Sequence, residues 1–280
     1  MKIDAHQHFW KYSATEFGWI DDNMSVLKKD FLPEDLQPFL QRQGLEASIA
    51  VQARQSPEET RWLLELARQH GFIAGVVGWV DLRSYNLEEQ LRSLSQNPKL
   101  VGLRHVLQDE ADDRFMLRED FLRGIDTLKS FNLAYDILIF SRHLPVTCEF
   151  VESFPEQRFV VDHIAKPDIK GGRIKEWQQG IQRLAAFPNV CCKVSGMVTE
   201  ADRMKWQYED FVPFLDIVFA AFGTKRIMFG SDWPVCTVAA GYDKVAALFA
   251  RYIDSLALDA GQVQALWGGN AENFYRLTQA

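Results

Sequence analysis

The feature that most constrains this chain is the regular return of short, almost wholly apolar runs rich in β-branched residues. Eight can be read: Ile3 to Phe9, Ala47 to Ala53, Ile73 to Val80, Leu100 to Leu107, Leu133 to Ile139, Arg158 to Ile164, Val190 to Ser195 and Arg226 to Ser231. Most are apolar throughout instead of alternating, as strands covered on both faces must be. The intervening segments carry helix signals. In "SPEETRWLLELARQHG", Ser56 stands as N-cap, Pro57 takes the first helical position, Glu59 is placed to close a capping box, and Gly71 marks the stop. Asn86 and Glu89 repeat the device, "YEDFVPFLDIVFAAFG" ends on Gly223, and Gly268 and Gly269 interrupt the terminal helical region. Alternation of this kind predicts parallel β/α units. Eight of them, with no polar linker between, predict a single α/β domain over residues 1–280 built as a (β/α)₈ TIM-like barrel. A doubly wound open sheet is the competing architecture; no GxGxxG or Walker phosphate loop follows an early strand to support it.

Charge narrows the partners. The chain carries a formal charge of −7 and no cluster of Lys and Arg, which disfavours nucleic acid, whose phosphates demand such a cluster. No window approaches the roughly 18 uninterrupted apolar residues of a membrane span, and "MKIDAHQHFW" lacks the pattern of a signal peptide. A cytoplasmic location is therefore expected. Cys148, Cys191, Cys192 and Cys236 form no CxxC pair and read as small buried hydrophobes. Aromatic helices leave a homodimer open.

In a barrel of this type the active site lies at the C-terminal ends of the strands, so the polar residues that close each apolar run are the informative ones. They are His6 and His8 on the first, Gln52 and Arg54 on the second, Trp79 and Asp81 on the third, and Arg104 and His105 on the fourth. The fifth ends on Asp136, the sixth on Asp162, His163 and Lys166, the seventh on Lys193 and Ser195, and the eighth on Asp232 and Trp233. Burying these groups unpaired would cost several kcal/mol each, so one shared polar pocket is expected. His6 and His8 project to one face of their strand and can chelate one ion or hydrogen-bond within a polar pocket. Asp232 suits a general base, or an N-cap for the segment that follows. His163 can polarise a carbonyl, ligate a metal or sit as a satisfied core histidine. Arg104 can bind an anionic or developing oxyanionic group, or pair with Asp81 or Asp136. Because Asp162 and His163 alternate on a regular strand, only one should face inward, and His163 is taken. Ser195 has no identifiable base and is not read as a nucleophile.

The segment Lys11 to Asp30 is long, aromatic and poorly periodic, which suits either a lid or a surface excursion packed by its own Phe17, Trp19 and Ile20. Gln52, Trp19, Trp79, Lys166 and Trp233 offer donors, acceptors and aromatic faces for binding a polar small-molecule substrate.

The stretches "DAHQHFW", "GWVDL", "GLRH", "DHIAKP", "FGSDWPV" and "GNAENFY", in this order and over essentially the whole chain, resemble the amidohydrolase superfamily. The similarity is to its amidohydrolase-2 branch, and within it to L-fuconolactone and L-rhamnonolactone hydrolases, with pyrone-dicarboxylate lactonases further away. The resemblance implies a distorted (β/α)₈ barrel that hydrolyses a sugar lactone, with Asp232 activating water and His163 and Arg104 near the carbonyl. No histidine closes the fifth strand and no lysine holds the bridging position on the fourth, so a binuclear centre is not expected. One divalent ion, zinc among the candidates, held by His6 and His8, or no metal at all, fits that deficit. No organic cofactor is implied. A metal-dependent decarboxylase of the same superfamily and a barrel that binds a sugar acid without turnover are the alternatives.

Overall fold

The computed structural model describes residues 1–277. Its strands are β1 (Ile3–Gln7), β2 (Ala47–Val51), β3 (Ile73–Gly78), β4 (Leu100–Val106), β5 (Ala134–Leu138), β6 (Phe159–Val161), β7 (Val190–Val194) and β8 (Ile227–Phe229). Among the described residues they form one eight-stranded sheet in sequence order, every neighbouring pair parallel. Closure between β8 and β1 is made by the residues just past the end of β8. Gln7 bridges Trp233, the His8 N–H donates to the Trp233 carbonyl at 2.7 Å, and the Asp232 N–H donates to the His6 carbonyl at 2.8 Å. The result is the expected α/β barrel, distorted at this seam. The seam is also where His6, His8 and Asp232 meet.

A helix follows every strand: Pro33–Gln43, Pro57–Gln69, Leu87–Leu94, Glu119–Ser130, Leu144–Glu152, Lys175–Ala185, Val212–Phe222 and Tyr242–Asp254. No helix among the described residues is long and apolar enough to cross a membrane. The helix Pro57–Gln69 illustrates why these segments coil. Ser56 Oγ accepts from the Glu58 and Glu59 N–H groups, while Leu63, Leu64, Leu66 and Ala67 are turned onto the sheet. Burying each leucine contributes about 2 kcal/mol. The capping box does not close as expected, because the Glu59 carboxylate instead accepts from the Ala53 and Arg54 N–H groups, both at 3.0 Å. Asn86 likewise makes no cap bond; its Oδ1 accepts from Ser84 Oγ and Gln90 Nε2.

The larger apolar cluster lies between sheet and helices. A smaller one, from Ile3, Ala5, Ile49, Val77, Val101, Val160 and Met228, is joined by Phe274 and Tyr275 of the terminal helix Asn270–Tyr275. That helix can approach because position 268 lacks a side chain: a Cβ on Gly268 would lie 2.2 Å from the Met1 carbonyl oxygen. All four cysteines are free thiols; three are buried, and Cys191 is only partly so.

The segment between β1 and the first helix is an excursion with a closed neck. Trp10 and Phe31 exchange both backbone hydrogen bonds, at 3.0 and 2.9 Å. Phe17, Ile20 and Leu27 are buried beneath it, whereas Trp19 is 37% exposed. It is thus packed by its own residues and reaches over the site as well.

Candidate active site

The carboxyl ends of the strands open into a cavity of about 790 Å³ whose walls include His8, Arg104, His163, Lys166 and Asp232. The ring of His8 is fixed by an acceptor that can play only one part. Its Nδ1 lies 2.8 Å from the Val51 carbonyl oxygen, so Nδ1 carries a hydrogen and Nε2 is turned toward His6 and Asp232. Both ring nitrogens of His6 face cations: Arg104 Nη1 lies 3.3 Å from Nε2 and Lys193 Nζ 3.2 Å from Nδ1. Asp162 Oδ1 lies 3.3 Å from His6 Nδ1. The two Nε2 atoms are 3.2 Å apart, and Asp232 Oδ1 lies 3.4 Å from that of His8 and 3.9 Å from that of His6.

Two imidazole nitrogens and a carboxylate oxygen thus converge as a set of metal-ligand donor types. Ligand atoms about 2.0 to 2.1 Å from a tetrahedral divalent ion are separated by roughly 3.3 to 3.4 Å, close to the spacings observed. The cluster therefore fits one divalent ion. His6, Asp162 and His163 form a second convergent group. Charge balance speaks against filling both. The buried carboxylates of Asp136, Asp162 and Asp232 are already opposed by the cations of Lys193 and Arg104. The Lys193 ammonium lies 2.5 Å from Asp136 Oδ2, 3.1 Å from Asp162 Oδ1 and 3.2 Å from His6 Nδ1, filling the space beneath the His6 ring.

Strand β6 departs from a regular path at its end. His163, Ile164, Ala165 and Lys166 all have positive φ, between 46° and 61°. A left-handed residue costs about 1 to 2 kcal/mol when it carries a side chain, so four in succession require anchoring. Trp177 Nε1 donates to the Ile164 carbonyl at 2.7 Å, and the Lys166 N–H donates to that of His163 at 2.8 Å. Because the strand ends at Val161, the alternation expected of Asp162 and His163 does not apply. Both face the site: Asp162 Oδ2 accepts from Arg104 Nη1 at 3.0 Å, and His163 Nε2 lies 4.0 Å from Asp232 Oδ1. His163 Nδ1 is 2.9 Å from Ser195 Oγ, so the serine does have an imidazole beside it. It sits behind the ring, outside the cavity wall, and orients the histidine. Space for that ring comes from Gly196, where a Cβ would fall 2.4 Å from His163 Nδ1 and φ is +60°. Gly230 plays the same part for His6, at 2.6 Å.

Burial sets the protonation states. It pushes His163 down to about 4 and His6 well below the usual imidazole range, so both rings are neutral at pH 7. Burial alone would raise Asp232, but His163, His8 and His6 outweigh it and hold the carboxyl well below its ordinary value. Asp232 is thus ionised throughout the physiological range, and its backbone too is left-handed, with φ 56°.

The remaining residues singled out from sequence divide into two groups. Lys166 and Trp19 line the cavity with Arg104, His163 and Asp232. Gln52, Trp79 and Trp233 lie outside its wall. Gln52 Oε1 accepts from Arg104 Nε and Nη2 at 3.1 and 2.8 Å, Trp79 donates to His105, and Trp233 packs edge-on against Phe9 and Phe31. Arg104 pairs with neither Asp81 nor Asp136. Its five N–H bonds are directed at Gln52, Asp162 and His6, which makes it a fixed positive charge in the wall. Arg54, Glu110, Glu200 and Arg203 also face the cavity. Arg54 stands among the strand ends read from sequence; Glu110 and Arg203 lie in loops and Glu200 ends the short helix Met197–Glu200, where no strand alternation marks an inward residue.

An eight-stranded parallel barrel with paired histidines on the first strand and an aspartate after the eighth defines a hydrolase-type metal-site scaffold, and the chain belongs to the amidohydrolase family, whose model matches residues 3–277. It is 45% identical over 289 residues to L-fucono-1,5-lactonase of Burkholderia multivorans, covering 100% of this chain and 97% of that one. It is 38% identical to L-fucono-1,5-lactonase of Burkholderia ambifaria, covering 99% and 96%. A solved amidohydrolase from Burkholderia multivorans with bound zinc superimposes with a TM-score of 0.96 at 44% identity, covering 99% of this chain and 100% of that one.

Proposed function

We propose that this protein hydrolyses a sugar 1,5-lactone of the L-fucono type to the corresponding hydroxy acid, with Asp232 as general base. The observation that carries the reading is the ionised Asp232 carboxylate at the cavity wall, within 4.0 Å of the imidazoles of His6, His8 and His163. Full-length similarity to two lactonases supports the substrate class.

In the reaction, Asp232 takes a proton from a water molecule while its oxygen attacks the lactone carbonyl. General-base assistance of this kind contributes about 10² to 10⁴-fold. The developing oxyanion meets the Arg104 charge and the His163 ring, whose Nε2 bears a hydrogen when Ser195 donates to Nδ1. A preorganised partner of this type supplies about 3 to 4 kcal/mol. The ring C–O bond then breaks, and the proton on Asp232 passes to the departing ring oxygen. A divalent ion held by His6, His8 and Asp232 supplies Lewis-acid polarisation of the ester carbonyl when bound.

The test is stereoselective acid release, above the spontaneous rate, across L- and D-sugar 1,5- and 1,4-lactones. Hydrolysis of L-fucono-1,5-lactone by the wild type, lost at least 10²-fold in Asp232→Asn with ligand binding retained, is expected. Silence on the whole panel, or an Asp232→Asn variant of undiminished activity, would sink the proposal. Carbon dioxide release from an aromatic acid in its place would mark a decarboxylase.

A further inference from the structure

A hydrogen-bond relay that the reaction itself does not use runs from Trp79, after β3, through His105 of β4 to Glu110 in the loop beyond. Trp79 Nε1 lies 3.2 Å from His105 Nδ1, and His105 Nε2 lies 2.7 Å from Glu110 Oε1. An indole can only donate, so Nδ1 must accept and Nε2 must carry the hydrogen that goes to Glu110. The imidazole is buried, stacked on Phe115 at 5.1 Å and edge-on to Phe121 at 5.6 Å, so it cannot turn. Of the three, only Glu110 lines the cavity. One carboxylate oxygen is pinned by His105, and the other has no protein partner among the described residues.

Gln108 and Asp109, the preceding residues, line the same wall, and Gln108 Oε1 is a buried acceptor with no hydrogen-bond partner. The wall thus offers consecutive acceptors on the β4 side of the barrel, across from Asp232 after β8. The geometry points to Glu110 as a specificity-determining residue, with Trp79 and His105 as its positioning residues. It accepts hydrogens from ring hydroxyls of a neutral lactone and, by like-charge repulsion, turns away lactones that carry a carboxylate at that end. This rests on the lactonase reading for the reacting group, while recognition of hydroxyls stands apart from it.

The experiment uses Glu110→Gln, which keeps an acceptor for His105, and Trp79→Phe, which keeps the aromatic packing. Calorimetry with L-fucono-1,5-lactam, which presents the same ring hydroxyls, is run beside hydrolysis of L-fucono-1,5-lactone and of D-glucaro-1,4-lactone, which carries a carboxylate. Loss of a hydrogen bond to a charged group predicts lactam binding weaker by about tenfold to a hundredfold in Glu110→Gln. The preference for the neutral lactone over the carboxylated one should fall in parallel. Trp79→Phe should raise KM with kcat retained, a split that general damage to the fold would not produce. Unchanged lactam affinity in Glu110→Gln, or equal losses on both lactones, overturns the assignment. A wild type that binds the lactam but opens no lactone ends the lactonase reading and leaves Glu110 to be judged by its affinity; a wild type that does not bind the lactam ends both.

Discussion

Replacement of Lys193 by methionine isolates the ion cluster under the site. The side chain is fully buried, and its ammonium touches Asp136 Oδ2 at 2.5 Å and Asp162 Oδ1 at 3.1 Å. Methionine fills similar volume without charge, so the loss is electrostatic. Asp162 keeps Arg104 at 3.0 Å, but Asp136 keeps only the Tyr275 hydroxyl, at 2.8 and 2.9 Å. Breaking one side of a buried pair costs about 3 to 5 kcal/mol, which for a chain of this size lowers Tm by about 5 to 9 °C. The informative variant is the double one. In Lys193→Met with Asp136→Asn, the uncompensated carboxylate is gone and Tyr275 retains an acceptor, so most of the lost stability should return. Urea denaturation followed by circular dichroism, with the denaturant slope held constant, measures all three proteins. A single variant within about 1 kcal/mol of wild type would refute the reasoning, because the penalty rests on an unpaired buried charge. A double variant no better than the single one would do the same.

Burial pushes Glu59 up to about 7, against an ordinary value of 4.5. A carboxyl raised on folding binds its proton more tightly in the native state, so it lowers stability as pH rises from about 4.5 to 7, by roughly 3 kcal/mol. Glu59→Gln should accordingly gain on the wild type at pH 8 and show no such gain at pH 4; parallel stability curves would count against it. At Gly196, alanine meets both a left-handed backbone and His163 Nδ1 at 2.4 Å. Gly196→Ala is expected to reduce kcat/KM at least tenfold by displacing the ring, and wild-type kinetics would show that the ring has room. Zinc titration of metal-stripped protein, read by elemental analysis, should saturate at one ion per chain and fail in His8→Ala; two ions in the wild type would mean that Lys193 does not exclude a second cation.

The barrel was legible because its strands are buried on both faces, and a continuous apolar run leaves little else to build. Observed strands stop short of the runs, β6 at Val161 and β8 at Phe229, since the polar residues that follow leave the ladder to enter the site. Alternation along a regular strand therefore misplaced Asp162, which lies just past the end of one. His6, His8, His163, Arg104 and Asp232 could be gathered from strand ends alone. Which neighbours touch a ligand and which hold another side chain could not, because Gln52, Trp79 and Trp233 have the same residue types in either role. Lys193 could be read only as one of the polar residues that close the seventh run, because its three partners come from β1, β5 and the turn after β6, contacts that only the closed barrel creates.

The neck formed by Trp10 and Phe31 has a consequence for how such an enzyme changes its diet. Glu16, Gly18, Trp19 and Met24 all reach the cavity from one excursion whose ends are tied together by two hydrogen bonds. Loop closure depends only weakly on length, so the excursion can be lengthened, shortened or exchanged as a cassette while β1 and β8 keep their seam. Descendants of this chain can thus be tried on new substrates by recombination at a single joint, with the hydrolytic machinery inherited intact.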